Sequence, residues 1–388
     1  MFSHDYLPFF FNVWNTRLNF NRVYSTQIKI DNLLADKKTI VVPPLLPLPH
    51  LAPAAAPYSY APFRHLTLLL LAGLLVTFPG CSANEKVQTL RLAHTLDTSH
   101  PVHAGLIRMG EALDSISGGK MQIKIYSSGQ LGSEKQCLEL LQLGSLAMTK
   151  VSAAVMENFT PSYGVLGLPY LFKDRESGFA VLDGDVGQDI LSQGAEARLR
   201  GLTFFDAGTR CFYTKDGPVR TPADLVGKKV RVMNSAMAIN LIKTLGGSPT
   251  PISFGELYTA LQQGVVDAAE NNLPSYFSSR HYEVTPFYSY DEHSAVPDVV
   301  IIGTSTWNAL DDQRRDWLTK AAAISRDYQR SIWRTSEQEA IATLEEKGVT
   351  FTKVDAAAFR EKVKPMYVSV RKDPILGPLL DRIEAQQE

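Results

Sequence analysis

One internal match constrains this chain more than any other feature: Ser133–Lys150 lies without a gap over Ser253–Glu270. Each segment opens with a serine followed three residues on by Gln136 or Glu256, the pattern of a capping box. Each carries about three turns of helix pattern and stops at a glycine, Gly144 or Gly264, where a left-handed cap strains least. Each then enters a short strand that ends in a charge, Lys150 or Glu270. The strand patterns ahead of them, Gly119–Tyr126 and Gly227–Asn234, extend the match. A strand–helix–strand unit present twice implies two related α/β lobes. In open sheets of this kind ligands lie beyond the carboxyl ends of strands, which directs Lys150 and Glu270 into one cleft between the lobes.

The flanking patterns agree with that class. Gln88–His94 alternates as a strand, and Met121–Tyr126 alternates again. Between them Val102, Leu106, Met109, Leu113 and Ile116 recur at helical spacing and stop at Gly118 and Gly119. Strand, helix and strand in this order imply a right-handed crossover in a parallel sheet. From 311 to 348 no proline interrupts a helical pattern. Trp317, Ala321, Ile324, Tyr328, Ile332 and Trp333 supply its expected apolar stripe. At about 1.5 Å per residue such a helix outspans one lobe, so it is expected to lie across both.

The net charge of −1 provides no global field for nucleic acid or an anionic membrane, so an anionic ligand must be held by local charges. Three cysteines, Cys81, Cys137 and Cys211, make no metal pattern. Cys137 and Cys211 are either a disulfide pair or two buried thiols. Cys81 closes a stretch from Arg64 in which one basic residue precedes about eleven mostly apolar ones, the form of a secretory signal. Gly80 before Cys81 and polar residues after it resemble a lipoprotein cleavage site, which points to a periplasmic product with a candidate lipid anchor at Cys81. Residues 1–63 have no sustained apolar period and turn rich in Pro and Ala. They are expected to be a disordered or wrongly included extension, with 64–81 as the signal.

Motifs for catalysis are missing: no Gly-x-Ser-x-Gly, no phosphate-binding glycine loop, no His-Glu-x-x-His. His94, His100 and His103 cluster, yet no second group of Cys or His supports a metal, and no cofactor is expected. Charged residues within apolar strands stand out instead. Arg231 sits between Val230 and Val232, on the opposite face, with Asn234 near the strand end. Arg210 follows another strand run at a lobe crossing, and Glu270 and Asn271 end the repeat. A guanidinium grips a carboxylate through two parallel hydrogen bonds, which an ammonium cannot do.

Gly208-Thr-Arg210, Thr221–Asn234, Pro249–Asp267 and Glu270-Asn271 together closely resemble the substrate-binding proteins of TRAP (tripartite ATP-independent periplasmic) transporters, and Gly129-Gln-Leu-Gly132 and Gly167–Phe172 match the same family. The resemblance runs from about residue 88 to 370. It implies a type II-like periplasmic solute-binding fold: two α/β domains, each a mixed sheet flanked by helices, with a long helix spanning both. The expected domains are 86–207 plus 297–336 and 208–296 plus 337–388. It further implies a monomer that closes on a small organic acid and docks on TRAP permease subunits. By the same resemblance Arg231 makes the salt bridge to the ligand carboxylate, Arg210 and Asn271 add hydrogen bonds, and Phe254 packs on the ligand's apolar face. Lys150, Glu134, Asn234, Glu270 and His94 are further polar candidates. The run Glu270–Val284 with Glu292–Pro297 looks like the branch that binds sugar acids such as uronates, although Leu273 stands where that branch often has tryptophan. A C4-dicarboxylate or aromatic acid, a signalling module and an enzyme are the alternatives.

Overall fold

The computed structural model describes residues 86–387. The N-terminal extension, the signal-like segment and Cys81 lie outside the described residues. The chain begins with β1 (Gln88–Ala93), α1 (Pro101–Ile116), β2 (Met121–Tyr126), α2 (Glu134–Gln142) and β3 (Met148–Ser152). Three short helices, α3 (Ala153–Met156), α4 (Arg175–Asp183) and α5 (Asp185–Ser192), lead to β4 (Leu199–Phe205). A second sheet then starts with β5 (Arg210–Thr214), β6 (Lys229–Val232), α6 (Ala236–Leu245), β7 (Ser248–Pro251), α7 (Leu257–Gln262), β8 (Ala268–Asn271), α8 (Leu273–Ser278) and β9 (Phe287–Ser294). The chain returns to the first sheet in β10 (Asp298–Gly303), followed by α9 (Thr304–Ala309) and α10 (Asp312–Glu346). β11 (Thr350–Lys353), α11 (Ala357–Arg371) and α12 (Leu376–Ala385) end it.

The strand orders are β2-β1-β3-β10-β4 in the first sheet and β11-β9-β5-β8-β6-β7 in the second. In lobe I, β1 lies parallel between β2 and β3, and β10 runs antiparallel to β3. In lobe II, β6 lies parallel between β7 and β8, and β5 runs antiparallel to β8. The lobes are therefore sisters, with β3 equivalent to β8. One part of the sequence match is overturned: β2 corresponds to β7, whereas β6 corresponds to β1. Gly119–Tyr126 and Gly227–Asn234 look alike because both are short alternating strands, but one is an edge and the other is central.

The helix part of the repeat differs at its start and agrees at its end. Ser133 and Gln136 form the expected reciprocal cap on α2. Ser253 makes no side-chain cap, because the chain enters α7 through a tight 3₁₀ turn, Phe254–Glu256. Gly144 and Gly264 both adopt φ +71°. A residue with a Cβ would be strained at either.

α10 is one helix of 35 residues, about 52 Å long at 1.5 Å per residue. Leu318, Ala321, Ala322 and Trp333 pack in the core of lobe I, whereas Ala340 and Leu344 pack in that of lobe II. The expected apolar stripe is corrected here. Ile324 and Tyr328 are exposed, and the buried line runs through Leu318, Ala322, Ser325, Gln329 and Trp333. Polar Ser325 and Gln329 are buried because each is matched: Ser325 Oγ donates to Gly105 O at 2.7 Å, and Gln329 Nε2 donates to Asp206 O at 2.8 Å. Gly105 permits this close crossing, since a Cβ there would stand 2.8 Å from Gln329 Cβ.

Cys137 and Cys211 are both buried and unbonded, so the thiol alternative holds. Among the described residues no helix is long and apolar enough to cross a membrane.

Candidate functional site

A cavity of about 140 Å³ opens between the carboxyl ends of the sister strands. It is smaller than the ~300–1,000 Å³ of drug-sized sites, which suits a small solute. Lobe I contributes Glu134, Lys150 and Asp298; lobe II contributes Arg210, Arg231, Asn234, Phe254 and Asn271.

Arg231 occupies the middle of β6, with Val230 and Val232 turned into the lobe core. Its own face is also covered, leaving 1% of the residue exposed. Nε donates to Ile252 O at 2.9 Å, but Nη1 is buried with no hydrogen-bond partner, and no salt bridge forms among the described residues. Burial pushes its pKa below the ordinary arginine value. A desolvated, unpaired guanidinium is costly, so it points to an anion that completes it.

Arg210 is the opposite case. It starts β5 and is also buried, at 5% exposed, yet every nitrogen has a partner. Nε and Nη2 bind the Glu270 carboxylate, Nη2 also donates to Glu270 O at 2.9 Å, and Nη1 donates to Asn271 Oδ1 at 3.0 Å. His293 extends the chain of charges, with Nε2 3.5 Å from Glu270 and Nδ1 2.7 Å from Asp291. Burial opposes charge on Glu270, but Arg210 and His293 override it and hold the carboxyl at about 2. Burial likewise opposes charge on His293, and Asp291 and Glu270 raise it to about 9.

Across the cavity Lys150, 2% exposed, donates to Glu134 Oε1 at 3.3 Å and to Asp298 Oδ2 at 3.1 Å. Burial acts to lower its pKa, and the two carboxylates reverse that to a net rise. Glu134 is placed by the N-terminus of α2, and its Oε2 accepts from Ser152 N at 3.3 Å.

The other sequence candidates divide. Asn234 and Phe254 line the cavity, Phe254 standing edge-on to His281 at 5.8 Å. Asn271 lines it too, with Oδ1 already taken by Arg210 and Asn272 N. Glu270, expected in the cleft, is turned away from it onto Arg210. His94 also lies off the lining. Its Nε2 is 2.9 Å from His103 Nδ1, and burial, then Lys150, lowers it to about 3. Its successors Thr95 and Leu96 reach the cavity instead. Asp298 was not legible as a site residue, though an acid opening the wholly apolar run Val299–Ile302 was the available signal. Among the described residues no group of His, Cys, Asp and Glu could hold a metal.

A larger cavity of about 590 Å³ lies by the crossing strands, walled by Arg175, Asp206, Glu292, Glu337 and Arg360 among others. It is not the better anion site, because Arg175 donates to both Glu337 oxygens at 2.9 Å and Arg360 stacks over Tyr170 at 4.1 Å.

Comparison with known proteins gives one consistent answer. The profile described as "Bacterial extracellular solute-binding protein, family 7" (DctP) matches residues 92–373. A TRAP periplasmic solute-binding protein of Bradyrhizobium sp. BTAi1, solved in complex with α/β-D-galacturonate, is 38% identical at a TM-score of 0.75, over 77% of this chain and 100% of that one. A Roseobacter denitrificans relative with bound β-D-glucuronate is 36% identical at a TM-score of 0.74, over 77% of this chain and 99% of that one. Among curated proteins, the Salmonella typhimurium protein YiiZ, described as uncharacterized, is 36% identical over 81% of this chain and 96% of its own length.

Proposed function

This chain belongs to the DctP family of TRAP extracytoplasmic solute receptors, which bind solutes and are not enzymes, and we propose that its ligand is a hexuronate anchored by Arg231. The observation that carries this reading is the buried Arg231 Nη1 without a partner, in a cavity whose wall mixes polar side chains such as Lys150, Asn234 and Asn271 with apolar ones such as Met233, Phe254 and Val296. The bound galacturonate and glucuronate of the structural relatives support the same ligand class.

The carboxylate takes the free side of the Arg231 fork, Asn271 and Asn234 add hydrogen bonds, and Phe254 covers the apolar face of the sugar ring. Each charge-assisted bond nets about 1.5–3 kcal/mol. Micromolar affinity needs about 8 kcal/mol, which a few such bonds supply after ordering costs. Contacts from both lobes at once favour a closed state, since only differential binding shifts such an equilibrium. The closed receptor, a monomer in the periplasm held by a lipid on Cys81, then delivers the acid to TRAP permease subunits.

A thermal-shift screen of D-glucuronate, D-galacturonate, D-galactonate, succinate and benzoate tests the ligand class. The sugar acids are expected to raise Tm, because a ligand at about 1,000 times its Kd adds about 4 kcal/mol. A shift with succinate or benzoate and none with any sugar acid rejects the reading.

A further inference from the structure

The two walls of the cavity carry opposite unbalanced charge. Lobe II presents the unpaired Arg231, while Arg210 beside it is already matched by Glu270. Lobe I presents one ammonium, Lys150, between two carboxylates, Glu134 and Asp298. That group is one negative charge in excess when both acids are ionised. Burial and the nearby Glu134 raise the Asp298 pKa, which is how a site with surplus negative charge responds, although Lys150 pulls the other way.

Hydrogen-bond capacity is left over on the same wall. Lys150 Nζ has three N–H groups and donates two of them. Asp298 Oδ1 takes no side-chain hydrogen bond among the described residues, and each Glu134 oxygen accepts only one bond. A carboxylate oxygen has room for two. An acceptor pair beside a spare N–H suits neighbouring hydroxyls, whose hydrogens go to the carboxylates while an oxygen accepts from the ammonium. A second carboxylate on the ligand has no hydrogen to give and would meet two fixed anions sharing one cation.

We propose that Glu134, Lys150 and Asp298 form a polyol-reading wall that makes this receptor selective for monoacids and excludes sugar diacids and C4-dicarboxylates. This rests on the reading that Arg231 anchors one ligand carboxylate. Orientation follows from it: the acid end of the ligand faces lobe II and the hydroxyl end faces lobe I.

The test compares D-glucuronate with D-glucarate, which carries a second carboxylate in place of the aldehyde carbon, by calorimetry on the wild type, Glu134→Gln and Asp298→Asn. Circular dichroism verifies that each variant is folded. In the wild type glucarate is expected to bind on the order of 100-fold more weakly than glucuronate, since like charges brought together cost several kcal/mol. Either substitution removes one negative charge and keeps the side-chain shape, so it shrinks that ratio about tenfold or more. Glucuronate closes to a ring and glucarate does not, so each ratio contains that difference. It cancels only in the change of the ratio from wild type to variant, and that change is the deciding reading. Glucarate binding as tightly as glucuronate in the wild type, or a ratio unchanged in both folded variants, overturns the proposal while the Arg231 reading stands. Failure of glucuronate itself to bind the wild type overturns both.

Discussion

Arg210 and Arg231 line the same cavity from neighbouring parts of one lobe, both all but inaccessible to solvent, and their hydrogen-bonding groups are satisfied differently. Arg210 has its charge matched by Glu270 and its remaining donors matched by Asn271 and a backbone carbonyl. Arg231 has one backbone partner and an orphaned Nη1. A buried cation whose partners are all supplied by the protein belongs to the scaffold. One left incomplete is, on the proposed reading, kept for the ligand carboxylate.

The sharpest way to break this comparison is to remove each arginine and read binding and stability separately. Arg231→Ala is expected to weaken sugar-acid binding by about 3–6 kcal/mol, the worth of two charge-assisted bonds, or roughly 10²–10⁴-fold in Kd. The unliganded variant should have a Tm no lower than the wild type, because it loses an unpaired buried charge. A large drop in apo Tm with unchanged affinity would reverse the roles.

Arg210→Ala should behave the other way, since it strands Glu270 as a buried carboxylate. Breaking such a pair costs about 3–5 kcal/mol, which lowers Tm on the order of 10 °C in scanning calorimetry. Intact stability there would mean that Arg210 is not structural.

Gly105→Ala probes the scaffold away from both arginines. Its Cβ would come within 2.8 Å of Gln329 Cβ where α1 crosses α10. Overpacking of this kind costs about 1–3 kcal/mol, visible as a shifted denaturant midpoint with ligand affinity retained. An unshifted midpoint would show that the crossing tolerates a methyl group.

The smallest expected effect is a pH dependence from the charge chain behind Arg210. His293 has its pKa raised from 6.5 to about 9 in the folded protein. Its contribution is therefore complete below pH 6.5 and is lost as pH rises through 9. A fall in Tm of a few degrees across that window, flattened in His293→Gln, is expected. An identical slope in the variant would assign the effect to other groups.

How much of this was legible beforehand follows from what kind of information each feature needs. The α2 and α7 repeat was readable because caps and left-handed glycines are local: Gly144 and Gly264 have the same φ and end equivalent helices. Arg231 stood out because a charge between two valines breaks a strand pattern. The pairing of strands was not local, so an edge strand and a central one were matched by resemblance alone. The buried line of α10 departs from its apolar spacing for a similar reason. Ser325 and Gln329 face inward only because Gly105 and Asp206, far away in sequence, supply their partners. Glu270 was recognised as a site-region charge, but its turn onto Arg210 depends on the antiparallel pairing of β5 with β8. Asp298 carries no local signal of its pairing, because its partner Lys150 is 148 residues away.

A crystal structure of the protein with D-glucuronate would show whether Arg231 holds the ligand. The predicted result is a ligand carboxylate about 2.7–2.9 Å from Arg231 Nη1, the length of a charge-assisted bond, with the sugar hydroxyls against Glu134, Lys150 and Asp298. A carboxylate seated on Lys150, with Arg231 Nη1 still unpartnered, would contradict it.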